Sequence, residues 1–345
     1  MIKNKKVTIN GIKLSSECAM LDLSDPAATP ETLYRVCQIL GENRINLPYI
    51  TFGRSPSGTF ASCCVGVETA GRAKKLLANA GVLKGRCRQT PGMGLLSIFP
   101  HRSCLSVPGQ ALIALCSAGI PVYGMASALG TLTFVLPYPR LACAAGILAA
   151  GMGLSSDYAP LGADLPGGVC GEKTEDFMQT SAVYWEPEIK IYGFQTALDL
   201  FRVHMAVPAK QYWQYGAFLC RIDAADHGEF NQVMLQRQAD NRLRLHLISR
   251  TPAAGAPDGD SVNRASAVEL LHFHGPHFGD RYGVATAAFR ALAAGGLTPL
   301  AAGCSGAAIY ITLPEKGAEK AKALLDGAFK VPAPARSRGN RPSKR

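Results

Sequence analysis

Apolar positions along the chain switch repeatedly between a period of two and a period near three and a half, the alternation that separates strands from helices. An apolar run from Leu95 to Phe99 enters a Pro/His loop, after which Leu112, Leu115 and Cys116 recur at helical spacing. Gly119 stops that stretch, as a residue that adopts the left-handed cap conformation without steric cost. Apolar runs from Ile120 to Met125 and Thr131 to Val135 then predict two strands. The same succession returns downstream: a strand Val268 to Phe273, a Pro/His/Gly loop, a helical stripe of Val284, Ala288, Ala291 and Leu292 stopped at Gly295, and strands Leu297 to Ala301 and Ala307 to Thr312. His101 and His277 stand 176 residues apart, and so do Gly119 and Gly295, so one supersecondary unit is used at least twice. Ala321, Leu324, Leu325 and Ala328 predict a helix that closes the later unit.

A more diverged copy opens the chain. Strand Cys18 to Leu23 leads to Thr29 as N-cap, Pro30 at the first helical position and Glu31 in the first turn. Leu33, Val36, Cys37 and Leu40 form the stripe to be buried, and Gly41 ends it. Strands Ile45 to Phe52 and Thr59 to Val67 follow, then a helix with Ala73, Leu76, Leu77 and Ala80 inward, Gly81 as stop, and a short strand Val82 to Cys87. Leu198 to Val207, Phe230 to Arg237 and Leu243 to Ser249 read as strands of a degenerate further unit.

The order βαββα plus one strand is the ferredoxin-like split βαβ arrangement. The expectation is an α+β fold of tandem ferredoxin-like (βαββαβ) units whose antiparallel sheets pair side by side. Residues 1–90 form the first unit and 91–150 the second, with the strand-like 184–194 available to complete the second unit's sheet. A Gly/Pro-rich linker fills 151–183, the degenerate unit 195–250, the fourth unit 266–330, and a basic, aperiodic tail 331–345 is expected to be disordered.

These residues resemble the ACT domain, most closely the ACT pairs at the regulatory end of aspartate kinases. The matching pieces are Ser97-Ile98-Phe99-Pro100-His101, Ala118-Gly119-Ile120-Pro121-Val122 and Ser127 through Val135, and more faintly Gly275-Pro276-His277, Ala294-Gly295-Gly296-Leu297 and Ser305 through Ile311. No Lys-Phe-Gly-Gly-type start and no GxxxxGK[ST] phosphate loop is found. The resemblance therefore implies a non-enzymatic, amino-acid-binding regulatory protein without its kinase domain. Its partners would be a small-molecule effector and a regulated enzyme or a second copy of the chain.

The loop between strand and helix is where such a ligand is expected. Unpaired amides at a helix start, with the positive end of the helix dipole, receive a carboxylate readily. In the fourth unit this loop offers His277, Gly279, Asp280 and Arg281; Arg281 suits an α-carboxylate and Asp280 an α-ammonium. Asp280 also suits an N-cap, and Arg281 a surface pair. The second unit offers His101, Arg102 and Ser103 at the same bend. The resemblance, which sets this loop against the second strand of a neighbouring unit, adds Tyr123, Ser127 and Ser305. A different reading takes His272, His274 and His277 as the working groups of a small enzyme of amino-acid metabolism, with or without Zn²⁺ held by their three nitrogens. The first copy keeps only the last of these histidines, so neither a cofactor nor a metal is expected.

Composition narrows the classes. The net charge of +11 is concentrated at the ends, in Lys3, Lys5 and Lys6 and in Arg336, Arg338, Arg341, Lys344 and Arg345, with no interleaved aromatics. Nucleic-acid binding is not expected from such solvated termini. Eleven cysteines without any C-x-x-C spacing behave as small hydrophobes of a reducing, cytoplasmic interior. The charge-free stretch between Arg102 and Arg140 has the length of a membrane span, but Pro108, Pro121 and Pro137 divide it at the predicted turns. Membrane association is not expected.

Overall fold

The computed structural model describes residues 8–25, 30–55, 58–82, 87–154, 188–226, 230–238, 240–250, 263–276, 278, 281–306 and 308–331. The chain opens with strands β1 (Gly11–Leu14) and β2 (Cys18–Asp25), helix α1 (Pro30–Glu42), strands β3 (Tyr49–Ser55) and β4 (Gly58–Gly66), and helix α2 (Val67–Asn79). Strand β5 (Cys87–Phe99) starts a second succession with α3 (Ser106–Ser117), β6 (Gly124–Ala128), β7 (Thr131–Pro137) and α4 (Leu141–Gly151). A third consists of β8 (Gly193–Pro208), α5 (Trp213–Asp226), β9 (Phe230–Arg237) and β10 (Arg242–Ser249). The fourth contains β11 (Asn263–His274), α6 (Val284–Ala294), β12 (Ala301–Ser305), β13 (Ala308–Pro314) and α7 (Ala318–Asp326).

All of these strands pair antiparallel, in the order β1-β5-β2-β4-β3-β12-β13-β11-β8-β10-β9-β6-β7, and a further β5–β7 pairing closes the circuit. Long strands make this possible by serving two neighbours. The first half of β5 runs beside β2 (Leu23↔Cys87 to Cys18↔Met93) and the second half beside β7 (Met93↔Pro137 to Ile98↔Leu132). Strand β8 does the same between β11 and β10.

The result is a flattened double layer of strands with helices outside. Leu33, Val36, Cys37 and Leu40 of α1 are buried, as their spacing predicts, in a core shared with α2, α6, α7 and the outer faces of β2, β3, β4 and β11 to β13. A second outer core joins α3, α4 and α5 to β6, β7, β9 and β10. Between the strand layers lie Met20, Tyr49, Cys64, Leu95, Ala126 and Val135, and beside them Leu200, Val268, Leu270 and Tyr310. Each buried Leu or Ile contributes about 1.5–3 kcal/mol relative to exposure, so the outer cores dominate stability.

Several expectations change. The strand that completes the second succession's sheet is not 184–194 but β1, which pairs with β5 from Gly11↔Phe99 to Leu14↔Leu96. The 188–200 stretch goes instead to the fourth: Ile189 and Ile191 exchange backbone bonds with Lys330, and β8 runs along β11. An edge takes any strand of compatible polarity, and sequence proximity does not choose it. The strands expected at 120–125 and 297–301 begin later, at Gly124 and Ala301. Helices α4 and α5 were not predicted, because LACAAGILAAG is apolar on every side and WQYGAFLCRIDAAD mixes aromatics around the helix. Thr29, residues 155–183 of the linker expected at 151–183, and the tail beyond Val331 lie outside the described residues. No described helix is long and apolar enough to cross a membrane.

Candidate functional site

Two seams join the four successions. In the first, β3 lies beside β12, from Gly53↔Ala301 to Tyr49↔Ser305, and α1 runs along α6. In the second, β6 lies beside β9, from Gly124↔Gln236 to Ala126↔Met234, and α3 runs along α5.

A small cleft opens in the first seam, with a cavity volume of about 40 Å³ continuous with solvent. One wall is Cys37, Ile45, Leu47 and Ile50; the other is Phe278, Arg281, Val284, Cys304 and Ile309. Helix α6 begins there from Gly283 at φ 85°, a left-handed conformation that favours glycine, and among the described residues no side chain caps it. Thr286 Oγ1 donates to Cys37 O at 2.7 Å and ties the two helices together. Arg281 is buried, and its guanidinium donates to Glu188 O at 3.1 Å, so the strand leading into β8 holds it in the wall. Burial pushes the thiols of Cys37 and Cys304 up to about 12, with Cys304 adding to the effect at Cys37.

The second seam engages its candidate residues in structure. His101 is buried, with Nε2 at 2.7 Å from Ala128 O and Nδ1 accepting the Ser103 amide at 2.9 Å. That pair of bonds assigns a neutral ring protonated on Nε2, and burial lowers its pKa. Arg102 is exposed, and it and Ser103 sit at φ 50° and 52°. Tyr123 lies under Arg237, whose Cζ is 4.3 Å from the ring centroid. Ser127 Oγ accepts the Val233 amide at 2.9 Å, and Ser305 Oγ stands 3.4 Å from Ala126 O. The second loop leads to Cys104 and Ser106, which bond Asp223 of α5, while Phe278 and Arg281 of the fourth stand across the cleft from α1. Of the fourth loop, Arg281 is placed in the cleft, while His277, Gly279 and Asp280 lie outside the described residues.

The histidine reading finds no support among the described residues, and His277 lies outside them. His272 stacks on Tyr310 at 4.8 Å between centroids, and His274 tilts against Tyr192 at 5.1 Å. Among the described residues no three His, Cys, Asp or Glu side chains gather as metal ligands.

Sequence reasoning missed a polar layer between the sheets. Arg202 donates to Arg54 O at 2.6 Å and lies 3.3 Å from His246 Nδ1; the His204 and His246 rings stack at 6.1 Å. Arg244 donates to Gln238 Oε1 at 3.0 Å, and Thr312 donates to Gln232 Oε1 at 2.8 Å. Burial, followed by mutual repulsion with Arg244, lowers Arg202 to about 10. The signal was present: RLRLHLIS puts Arg242, Arg244 and His246 on one face of a strand and Leu243, Leu245 and Leu247 on the other.

No family model and no curated protein matches the chain. Among solved structures, the aspartate kinase from Synechocystis superposes with a TM-score of 0.75 at 14% identity, over 95% of this chain and 58% of that one. The regulatory subunit of aspartate kinase from Thermus thermophilus, in its ligand-free form, gives 0.39 at 20% identity over 42% of this chain and 98% of its own. The likeness is one of fold: a mixed α/β architecture with a large antiparallel sheet, as in aspartate kinases. This chain spans little more than half the length of the Synechocystis enzyme. The expectation of a purely non-enzymatic protein is overturned by the Synechocystis structure, an aspartate kinase that matches the fold over 95% of this chain.

Proposed function

We propose that this chain works within an aspartate-kinase-type enzyme and that the first-seam cleft binds a small-molecule effector, an amino acid. The four strand–helix successions are read as ferredoxin-like, ACT-type units, the second completed by β1 and the fourth by the first half of β8. The observation that carries the reading is a cleft walled by two different units, with the buried guanidinium of Arg281 in one wall and the start of α6 at Gly283 beside it. A carboxylate there meets a fixed cation and unpaired helix amides. Because α1 and α6 belong to different units, a ligand between them favours one relative placement of those units over another, which is the differential affinity a regulatory ligand requires. His277, Gly279 and Asp280, which precede Arg281 in the chain, belong to the same proposed site. His101, Arg102, Ser103, Tyr123, Ser127 and Ser305 belong to the second seam and the sheet interior and are read as structural.

Thermal unfolding of the full chain with each amino acid in turn tests this. A ligand at about 100 times its Kd adds about 2.7 kcal/mol, an easily read rise in Tm. Arg281→Gln is expected to abolish that rise. ADP release from ATP in the presence of aspartate, with and without the stabilising amino acid, tests the enzymatic context. No stabilisation by any amino acid, or a rise that survives in Arg281→Gln, defeats the cleft assignment.

A further inference from the structure

In each seam the start of one helix meets the end of its neighbour. The start of α6 meets α1 at Gly41, where a Cβ would point at Thr286 Oγ1 and Gly283 Cα; the start of α3 meets α5 at Asp223, which accepts from Ser106 Oγ. The buried faces of the two neighbours correspond as well. Leu33, Val36, Cys37 and Leu40 of α1 stand 182 residues before Tyr215, Phe218, Leu219 and Ile222 of α5, all buried, and the same spacing carries Gly41 to Asp223. One position at the crossing is thus a glycine in the first seam and a carboxylate in the second.

Asp223 is badly placed by the rules of its own helix. It opens the last turn of α5, where its charge meets the negative end of that helix's dipole. The start of α3 offsets this: Ser106, the first residue of α3, donates to Asp223 Oδ2, and the Cys104 thiol lies 3.7 and 3.8 Å from the two carboxylate oxygens. Three residues earlier on α5, burial and then the Asp223 charge push the Cys220 thiol up to about 11. A local rule is broken here, and the neighbouring unit supplies the compensation.

We infer that Asp223 is a built-in carboxylate latch, which occupies the helix start of the second seam from within the chain and holds α3 against α5 without a ligand. Its charge faces the positive end of α3, and its oxygens take the Ser106 and Cys104 donors. Given the reading of the first-seam cleft as an effector site, the two seams then divide the work. The second is held shut by its own acid, and the first is closed by an acid taken from solution.

Thermal unfolding of the full chain carrying Asp223→Ala, in sodium formate against sodium chloride at equal ionic strength, tests the latch. The variant is expected to unfold at a lower temperature than the native chain. Formate, the carboxylate that the substitution deletes, is expected to restore most of that loss, and to leave the native Tm where chloride leaves it. Asp223→Asn keeps the shape without the charge and is expected to lose stability too. In a Ser106→Ala background the Asp223→Ala loss is expected to shrink, since the two side chains act as a pair. A loss that formate does not restore, or an Asn variant as stable as the native chain, overturns the latch. Gly41→Asp moves the acid to the first seam, against the first turn of α6, and is expected to abolish the rise in Tm that the effector reading assigns to an amino acid. A rise that survives Gly41→Asp overturns the correspondence between the seams. If no amino acid stabilises the native chain while formate rescues Asp223→Ala, the effector reading falls and the latch stands. If an amino acid stabilises the chain and formate rescues nothing, the latch falls alone.

Discussion

The two seams follow one rule, strand beside strand and helix beside helix, yet they meet differently at the helix crossing. Where α1 meets α6, a Cβ on Gly41 would stand 2.9 Å from the Thr286 hydroxyl, the end of a side chain that can rotate, and 3.6 Å from Gly283 Cα. Where α3 meets α5, a Cβ on Gly216 would stand 2.7 Å from the carbonyl oxygen of Gly109 and 2.6 Å from Ile113 Cγ1. The second pair of helices thus touches backbone to backbone, and Asp223 of α5 accepts from Ser106 at the start of α3. The same topology can hold a cleft or close it; the residue type at the crossing decides.

The largest expected effect breaks the closed seam. Gly216→Val drives a branched side chain into fixed backbone and is expected to cost about 3 kcal/mol or more in urea unfolding. Gly41→Ala at the open seam is expected to change stability by less than about 1 kcal/mol, since Thr286 gives way and alanine is the better helix former. Equal losses at the two sites would erase the distinction between them.

Acid acts next, on the polar layer of the third succession. Burial, and then the charges of Arg202 and Arg244, lowers His204 to about 4; burial, with Arg202, His204 and Arg244 behind it, puts His246 well below 6.5. Between those values and 6.5 the unfolded chain binds more protons than the folded one, so stability is full above about pH 6.5 and falls as pH drops toward 4. His204→Gln is expected to flatten that fall in a series of urea titrations. An unchanged slope would remove His204 from the account.

Asp223→Ala, which strips the second seam of its acceptor for Ser106 and Cys104, is expected to cost about 1 kcal/mol in the same measurement. The mildest probe leaves stability alone: with thiols raised to about 12, Cys37 and Cys304 are expected to resist a disulfide reagent at neutral pH, whereas exposed Cys143 reacts at once. Rapid modification of Cys37 in the folded chain would show that the first seam opens far wider than its resting cleft.

Local chemistry was legible where period and punctuation agreed. The α1 stripe and its stop near Gly41 are where their spacing puts them, since a 3.6 repeat leaves one face to bury. Helix α4 was hidden because an all-apolar segment has no face to read, and Arg281 was legible as a candidate without any sign of which unit would stand opposite. Ser127 and Ser305 are candidates by resemblance, and only the structure places the Ser127 Oγ where it accepts the Val233 amide and the Ser305 Oγ 3.4 Å from Ala126 O.

By itself the sequence determined the repeated strand–helix unit, most of its helices and strands, and the loop that carries Arg281, because these depend on residues close together in the chain. Only the tertiary structure decided that β1 pairs with β5, that β5 and β8 each bridge two neighbours, and that α6 faces α1 across a cleft. Edge strands and helix faces accept any partner of matching polarity and shape, and the choice among partners is made by packing the whole set at once.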